Sequence, residues 1–210
     1  MCNRANGRTG MGAVMGSKLL KAVVVKSTGK LKASDQGAIT QMQREGAKAL
    51  PDAADMKGLA LNGTADVVGF QNSIGSLPTF NYNMGQFAGV DSLMGDVMTS
   101  TILKERDTCY SCTVRCKRVV ETEFAGQKVL PLYGGPEYET IGTLGSYCGV
   151  DDLNAVALAN QLCNMYGLDT IACGATISFA MECFENGLLN LQDTQGIELR
   201  FGNPDAVVAM

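Results

Sequence analysis

The chain contains no histidine, and its 210 residues include neither a long apolar run nor an excess of positive charge. Without histidine this sequence cannot form a Ser-His-Asp or Cys-His catalytic arrangement, or a His-ligated zinc site. No apolar run approaches the roughly 20 residues that cross a bilayer. Lys and Arg number 17 against 21 Asp and Glu. The net charge of −4 therefore argues against a nucleic-acid partner or an anionic membrane surface.

A signal peptide is not predicted at the N-terminus, because residues 1–16 are rich in glycine, carry Arg4 and Arg8 and lack an apolar stretch. Reduced thiols and a cytoplasmic location are therefore expected. Three of the eight cysteines form a tight cluster, and the others are scattered among apolar residues: Cys2, Cys148, Cys163, Cys173 and Cys183.

The composition supports one ordinary domain or two small ones, since 46% of the residues are hydrophobic and 18% are charged. Residues 22–25, Ala-Val-Val-Val, are typical of a buried strand. A helix is predicted over residues 34–50, with Ser34 or Asp35 as its N-cap and Pro51 after its end.

Further along the chain, the pattern predicts a helix over residues 91–108 and a short hairpin over residues 119–132. Two helices are predicted at about 151–166 and 173–186, and an Asn-Pro pair at 203–204 starts another. The chain is therefore predicted to be mainly helical with a small β-containing N-terminal remnant. Because the last helix has barely begun when the sequence ends, we expect a truncated fragment of a longer protein.

The most specific pattern is the C-x2-C-x3-C run of Cys109, Cys112 and Cys116. Three thiolates on one tight loop suit a soft metal centre, and four are the usual complement of a cubane iron–sulfur cluster. A zinc site and three buried structural cysteines are the alternatives, although no second C-x2-C pair follows. Positive side chains flank the thiols and would offset the charge of a cluster: Arg115, Lys117 and Arg118.

Two carboxylates follow a Gly-Gly-Pro turn, at Glu137 and Glu139. They could act as acid–base groups or bind a cofactor, although exposed acids on a turn are also common. Asn164 and Asp169 flank the turn between two predicted helices, where polar residues are often only helix caps. The glycine-rich N-terminal loop with Arg4 and Arg8 could cradle a phosphate through backbone N–H groups.

The order of these motifs resembles the aldehyde:ferredoxin oxidoreductase family, whose members are tungsten or molybdenum bis-pyranopterin enzymes. The resemblance covers essentially the whole chain. It rests on the C-x2-C-x3-C run and on four further segments: NGRTGMGAVMGSK at 6–18, LPTFN at 77–81, GPEYET at 135–140 and GLDT at 167–170.

The resemblance implies that residues 1–27 end an N-terminal pterin-binding domain and that residues 28–210 belong to a mostly helical second domain. It implies that Cys109, Cys112 and Cys116 bind a [4Fe-4S] cluster, whose fourth cysteine lies in a third domain. Glu137 matches the acid beside the metal, in a catalytic and cofactor-binding role. The other residues that match pterin-contacting positions are Arg4, Ala5, Gly7, Asn164, Leu168 and Asp169, with Asn164 replacing the family's aspartate.

The implied reaction is oxidation of a small aldehyde to a carboxylate, with electrons passing through the cluster to ferredoxin or an iron–sulfur partner subunit. A homodimer is compatible with this assignment. Two alternatives stay open. One is a member of the same family that reduces another substrate, and the other is an iron–sulfur electron-transfer or structural metal module without chemistry of its own.

Overall fold

The computed structural model describes residues 8–29 and 32–210, and the chain is mainly helical, as predicted. Five short 3-10 helices connect the longer elements. The α-helices are α1 (Met11–Ser17), α2 (Gln36–Ala49), α3 (Ala54–Asn62), α4 (Val68–Ser73), α5 (Gly95–Thr101), α6 (Tyr138–Leu144), α7 (Leu153–Tyr166), α8 (Thr170–Glu185) and α9 (Pro204–Ala209). Every helix in these ranges is too short or too polar to span a membrane.

Two small antiparallel hairpins lie in the middle of the chain. Strand β1 (Leu103–Asp107) pairs with β2 (Lys117–Val120), and β3 (Thr122–Phe124) pairs with β4 (Gln127–Val129). The second hairpin turns at Ala125 and Gly126, whose φ angles of 48° and 76° suit a two-residue turn that matches strand twist. This confirms the hairpin predicted over residues 119–132.

Helices α6, α7 and α8 form one part of the core, with α9 packed against α7, and residues from α4, α5 and the two hairpins complete it. Most of α7 is buried, and Val156, Ala157 and Leu158 have no exposed surface. The Asp152 carboxylate caps α7 by accepting hydrogen bonds from the backbone N–H groups of residues 154 and 155. At its other end Gly167 adopts a left-handed φ of 73°, which turns the chain directly into α8. Gly167 therefore sets where α7 ends and the turn to α8 begins.

The strand predicted over residues 22–25 is wrong. The segment has no regular secondary structure, and Val23, Val24 and Val25 are each more than 70% exposed. A β-branched run becomes a strand only when a neighbouring strand satisfies its backbone N–H and C=O groups. In the described ranges no strand pairs with this segment.

The single helix predicted over residues 91–108 is also wrong. A 3-10 helix (Val90–Leu93) and α5 are separated by an extended residue, Met94, and the chain then enters β1. Pairing with β2 satisfies the backbone of Leu103–Asp107, so tertiary contacts override the local helical pattern.

Candidate metal and cofactor site

The three clustered cysteines all lie on the segment between β1 and β2, which we call the cysteine loop (residues 108–116). Cys109 is exposed, whereas Cys112 and Cys116 are half-buried, and all three are free thiols. The backbone N–H of Cys112 donates to the carbonyl of Cys109 at 3.1 Å, which closes a tight turn. Ser111 and Arg115 have φ angles of 56° and 58°, and these left-handed residues fold the loop back on itself.

Within the described part of the chain, no group of three Cys, Asp or Glu side chains is arranged to hold one metal ion. Convergence of the three sulfurs stays a prediction. The thiols are nevertheless close enough to interact, because the charges of Cys112 and Cys109 contribute to raising the pKa of Cys116, after burial and Glu137.

Arginine side chains brace the cysteine loop through its backbone carbonyls. Arg106 Nη2 donates to the Val114 carbonyl at 2.9 Å, and Arg118 Nη2 donates to the Arg115 carbonyl at 2.7 Å. Arg118 Nε also donates to the Cys116 carbonyl at 3.1 Å. The positive charge beside the thiols fits an anionic thiolate-ligated cluster. The flanking charges at 115 and 118 were predicted, but Arg106 was not.

Arg118 also ties this loop to the C-terminal end of α3. Its side chain is almost completely buried, at 1% exposure, and its guanidinium donates to the carbonyls of Ala60 and Leu61. A cation at this position satisfies carbonyls that the helix leaves unpaired and complements the helix dipole. Burial, followed by the nearby charge of Arg106, lowers the pKa of Arg118.

We expect Arg118→Met to lower the free energy of unfolding by at least about 3 kcal/mol, since each buried carbonyl that loses its donor costs about 1–3 kcal/mol. Urea unfolding of the full-length protein measures this change. Arg200→Met is the control, because Arg200 is exposed and its ion pair with Glu198 is a surface pair. Equal stability of the two variants would show that Arg118 does not anchor the loop.

Glu137 lies beside the cysteine loop, at the N-cap position of α6. Thr64 Oγ1 donates to Glu137 Oε2 at 2.6 Å and accepts from the backbone N–H of Tyr138 at 2.9 Å. The carboxylate is near enough to Cys116 to raise the pKa of that thiol. The structure therefore places the predicted acid near one of the predicted cluster ligands, Cys116. No sequence pattern singled out Thr64, which comes from a different part of the chain.

The turn before Glu137 requires glycine because it packs closely on β2. A Cβ atom on Gly135 would lie 2.8 Å from Val120 Cγ1 and 3.1 Å from Arg118 Cβ. Gly134 has a left-handed φ of 71°. The Gly-Gly-Pro turn thus lets the backbone approach Arg118, and this approach positions Glu137 beside the loop.

Asn164 and Asp169 connect the α7–α8 turn to other predicted site segments. Asn164 Nδ2 donates to the carbonyl of Tyr133 at 3.2 Å, close to the Gly-Gly-Pro turn. Asp169 caps α8 by accepting from the backbone N–H of Ile171 at 3.0 Å, and its Oδ2 also accepts from Arg8 Nε at 3.3 Å. Leu168 is half-exposed on the same turn.

The cap interpretation of Asp169 is thus correct, but it is incomplete because the same carboxylate binds the N-terminal segment. Arg8 and Asp169 therefore link the segments at 6–18 and 167–170. The hydroxyl groups of Thr140 and Thr170, 2.9 Å apart, link the segments at 135–140 and 167–170. Three further predicted residues, Arg4, Ala5 and Gly7, lie outside the described residues.

A family model described as aldehyde ferredoxin oxidoreductase, domains 2 and 3, matches residues 41–210. The chain is 37% identical to the tungsten-containing aldehyde ferredoxin oxidoreductase of Pyrococcus horikoshii over 98% of its own length. The corresponding protein of Pyrococcus furiosus is 34% identical over 98% of the chain. An aliphatic sulfonate oxidoreductase, WOR-like subunit, from the same organism is 28% identical over 96%.

The chain spans 34%, 33% and 32% of the lengths of these three relatives, respectively. The family model covers well over half of the chain, and it includes the cysteine loop, Glu137 and the α7–α8 turn. The chain therefore belongs to the aldehyde ferredoxin oxidoreductase family.

Proposed function

We propose that this chain is part of an enzyme that oxidises a small aldehyde to a carboxylate. The group bound beside Glu137 would be a tungsten or molybdenum bis-pyranopterin, and the cysteine loop would bind a [4Fe-4S] cluster. The observation that carries the proposal is the proximity of Cys116, one of the three clustered thiols, to a carboxylate held by Thr64, since redox and proton-transfer groups are needed together. The overall reaction consumes an aldehyde and water, and it releases a carboxylic acid, two protons and two electrons.

When bound, the metal–pterin group would supply the two-electron chemistry and the cluster would carry electrons one at a time. The chain contributes proton transfer and positioning. Thr64 donates a hydrogen bond to one oxygen of Glu137, and this bond fixes the orientation of the carboxylate. Glu137 would accept a proton released when water adds to the aldehyde carbon. Because Glu137 lies near Cys116, proton release would occur next to the path of the electrons.

Cys109, Cys112 and Cys116 would supply three of the four thiolate ligands of the cluster, and a segment outside this chain would supply the fourth. Arg106 and Arg118 hold the backbone carbonyls of the loop and place positive charge near the cluster. Electrons would leave for ferredoxin or an iron–sulfur partner subunit.

Pterin binding would use the α7–α8 turn together with the N-terminal loop. Asn164, Leu168 and Asp169 would contact the pterin from the turn, and Arg4, Ala5 and Gly7 would contact it from the loop. The link between Arg8 and Asp169 supports this grouping, because it holds the two segments against each other. The division into a pterin-binding end, residues 1–27, and a helical domain, residues 28–210, belongs to the same proposal. We also propose a cytoplasmic location and a homodimer.

Anaerobic assays of the full-length protein test the reaction class. We expect a small aldehyde to drive reduction of ferredoxin or a viologen dye, with the carboxylate as product. A protein that contains both cofactors but turns over only another substrate would support the alternative of a family member with different specificity. A protein that exchanges electrons but acts on no substrate would contradict the proposal and favour an electron-transfer module.

A further inference from the structure

Two cysteines outside the proposed cluster site face each other across the α7–α8 turn. Cys163 lies in the last turn of α7 and Cys173 in the first turn of α8. Both are free thiols, and each side chain affects the pKa of the other. Both also line a cavity of about 470 Å³. A small reagent entering this cavity would therefore come close to both residues.

The two thiols are chemically unequal. Cys163 is 4% exposed and belongs to the core, whereas Cys173 is half-exposed at its edge. Interaction with the Cys163 thiol lowers the pKa of Cys173. The same interaction, together with burial, raises the pKa of Cys163. A thiol near a helix N-terminus also gains thiolate character from the helix dipole, so Cys173 is the better nucleophile.

A third thiol nearby, Cys148, lacks this reactivity. It is completely buried, and its sulfur is engaged with the carbonyls of Thr143 at 3.3 Å and Gly174 at 3.7 Å. Burial raises the pKa of Cys148 strongly, so it stays a thiol. The pair of Cys163 and Cys173 is therefore chemically distinct from its neighbour.

We propose that Cys163 and Cys173 form a redox-active dithiol, a modification site at which a peroxide converts the two thiols into a disulfide between α7 and α8. The Cys173 thiolate attacks one peroxide oxygen, which breaks the O–O bond, releases hydroxide and leaves a sulfenic acid on Cys173. The Cys163 sulfur then attacks the Cys173 sulfur, and hydroxide leaves to form water with the released proton. In total, two thiols and one hydrogen peroxide give one disulfide and two water molecules.

The disulfide would close a short loop that contains the whole α7–α8 turn, including Asn164 and Asp169. It would restrain the turn covalently, where the reduced protein holds it through helix caps and hydrogen bonds. The site itself does not depend on the proposed cofactors, because neither thiol is among the proposed cluster ligands. Its test can therefore fail or succeed independently of the proposed function.

The experiment treats reduced, anaerobically purified full-length protein with limiting hydrogen peroxide, alkylates the remaining thiols and maps peptides without reduction. We expect a peptide pair joined through Cys163 and Cys173, which thioredoxin or dithiothreitol separates again. Cys163→Ser should stop the reaction at a sulfenic acid on Cys173, which dimedone traps. Cys183→Ser is the matched control, since Cys183 is a partly exposed thiol on the same helix, and it should leave the joined peptides unchanged.

Full alkylation of Cys163 and Cys173 after peroxide treatment would overturn the proposal. Random pairing with Cys148 or Cys183 would overturn it as well. Circular dichroism of each variant confirms that it is folded before it is treated. The cysteine-loop peptide is resolved by its mass, so oxidation there is scored separately and does not affect the result.

Discussion

Replacing Cys112 by serine in the full-length protein is expected to remove the iron–sulfur cluster. The cysteine loop carries three thiols that are close together in the sequence. A serine hydroxyl is a poor ligand for iron compared with a thiolate. The iron content should fall from about four atoms per protein chain towards zero. The visible absorption and the electron paramagnetic resonance signal of the cluster should disappear with it, as should reduction of ferredoxin.

The matched control for this variant is Cys183→Ser, because Cys183 is also partly exposed but lies on α8, outside the cysteine loop. That variant should retain both its iron and its spectrum. Normal iron content in Cys112→Ser would contradict the assignment of the loop. Equal loss of iron in both variants would instead indicate general damage to the protein.

Glu137→Gln is expected to lower kcat by at least about tenfold, because a positioned general base is typically worth about 10²–10⁴ in rate. The amide oxygen of glutamine can still accept the hydrogen bond from Thr64, so the local fold should persist. The lost property is the ability to accept a proton at the carboxylate. Steady-state kinetics with an aldehyde and a viologen dye, compared at equal tungsten or molybdenum loading, measure this change.

Glu139→Gln is the control for this variant, since Glu139 is an exposed acid two residues further along the same helix. It should retain nearly full activity. Full activity of a fully loaded Glu137→Gln enzyme would contradict a catalytic role and favour a solvated turn acid. Loss of pterin from the Glu137 variant, with iron retained, would reassign this residue to cofactor binding.

The local features that the sequence predicted correctly depend on interactions between near neighbours. Asp35 and Asn203 were expected as N-caps, and each side chain accepts a backbone N–H three residues further along. The hairpin over residues 119–132 was also expected, and its turn uses the left-handed backbone of Ala125 and Gly126 that short hairpins favour. The position of the three cysteines on one loop followed from their spacing alone.

The features that were missed or wrong depend on distant parts of the chain. No local pattern indicates that Thr64 orients Glu137, since 73 residues separate them. The buried environment of Arg118 requires the end of α3 to be present, and charged residues are rarely buried without such partners. The strand predicted over residues 22–25 failed for the same reason, because an isolated segment does not reveal whether a partner strand exists.

The central claim is that the thiols of the cysteine loop and the Glu137 site serve two cofactors in one oxidoreductase. Metal analysis of the full-length protein, purified without oxygen, tests it most directly. We expect about four iron atoms for each tungsten or molybdenum atom, with pterin released on denaturation. Iron without tungsten, molybdenum or pterin would contradict the enzyme assignment and support an electron-transfer module. Zinc in place of iron would contradict the cluster itself.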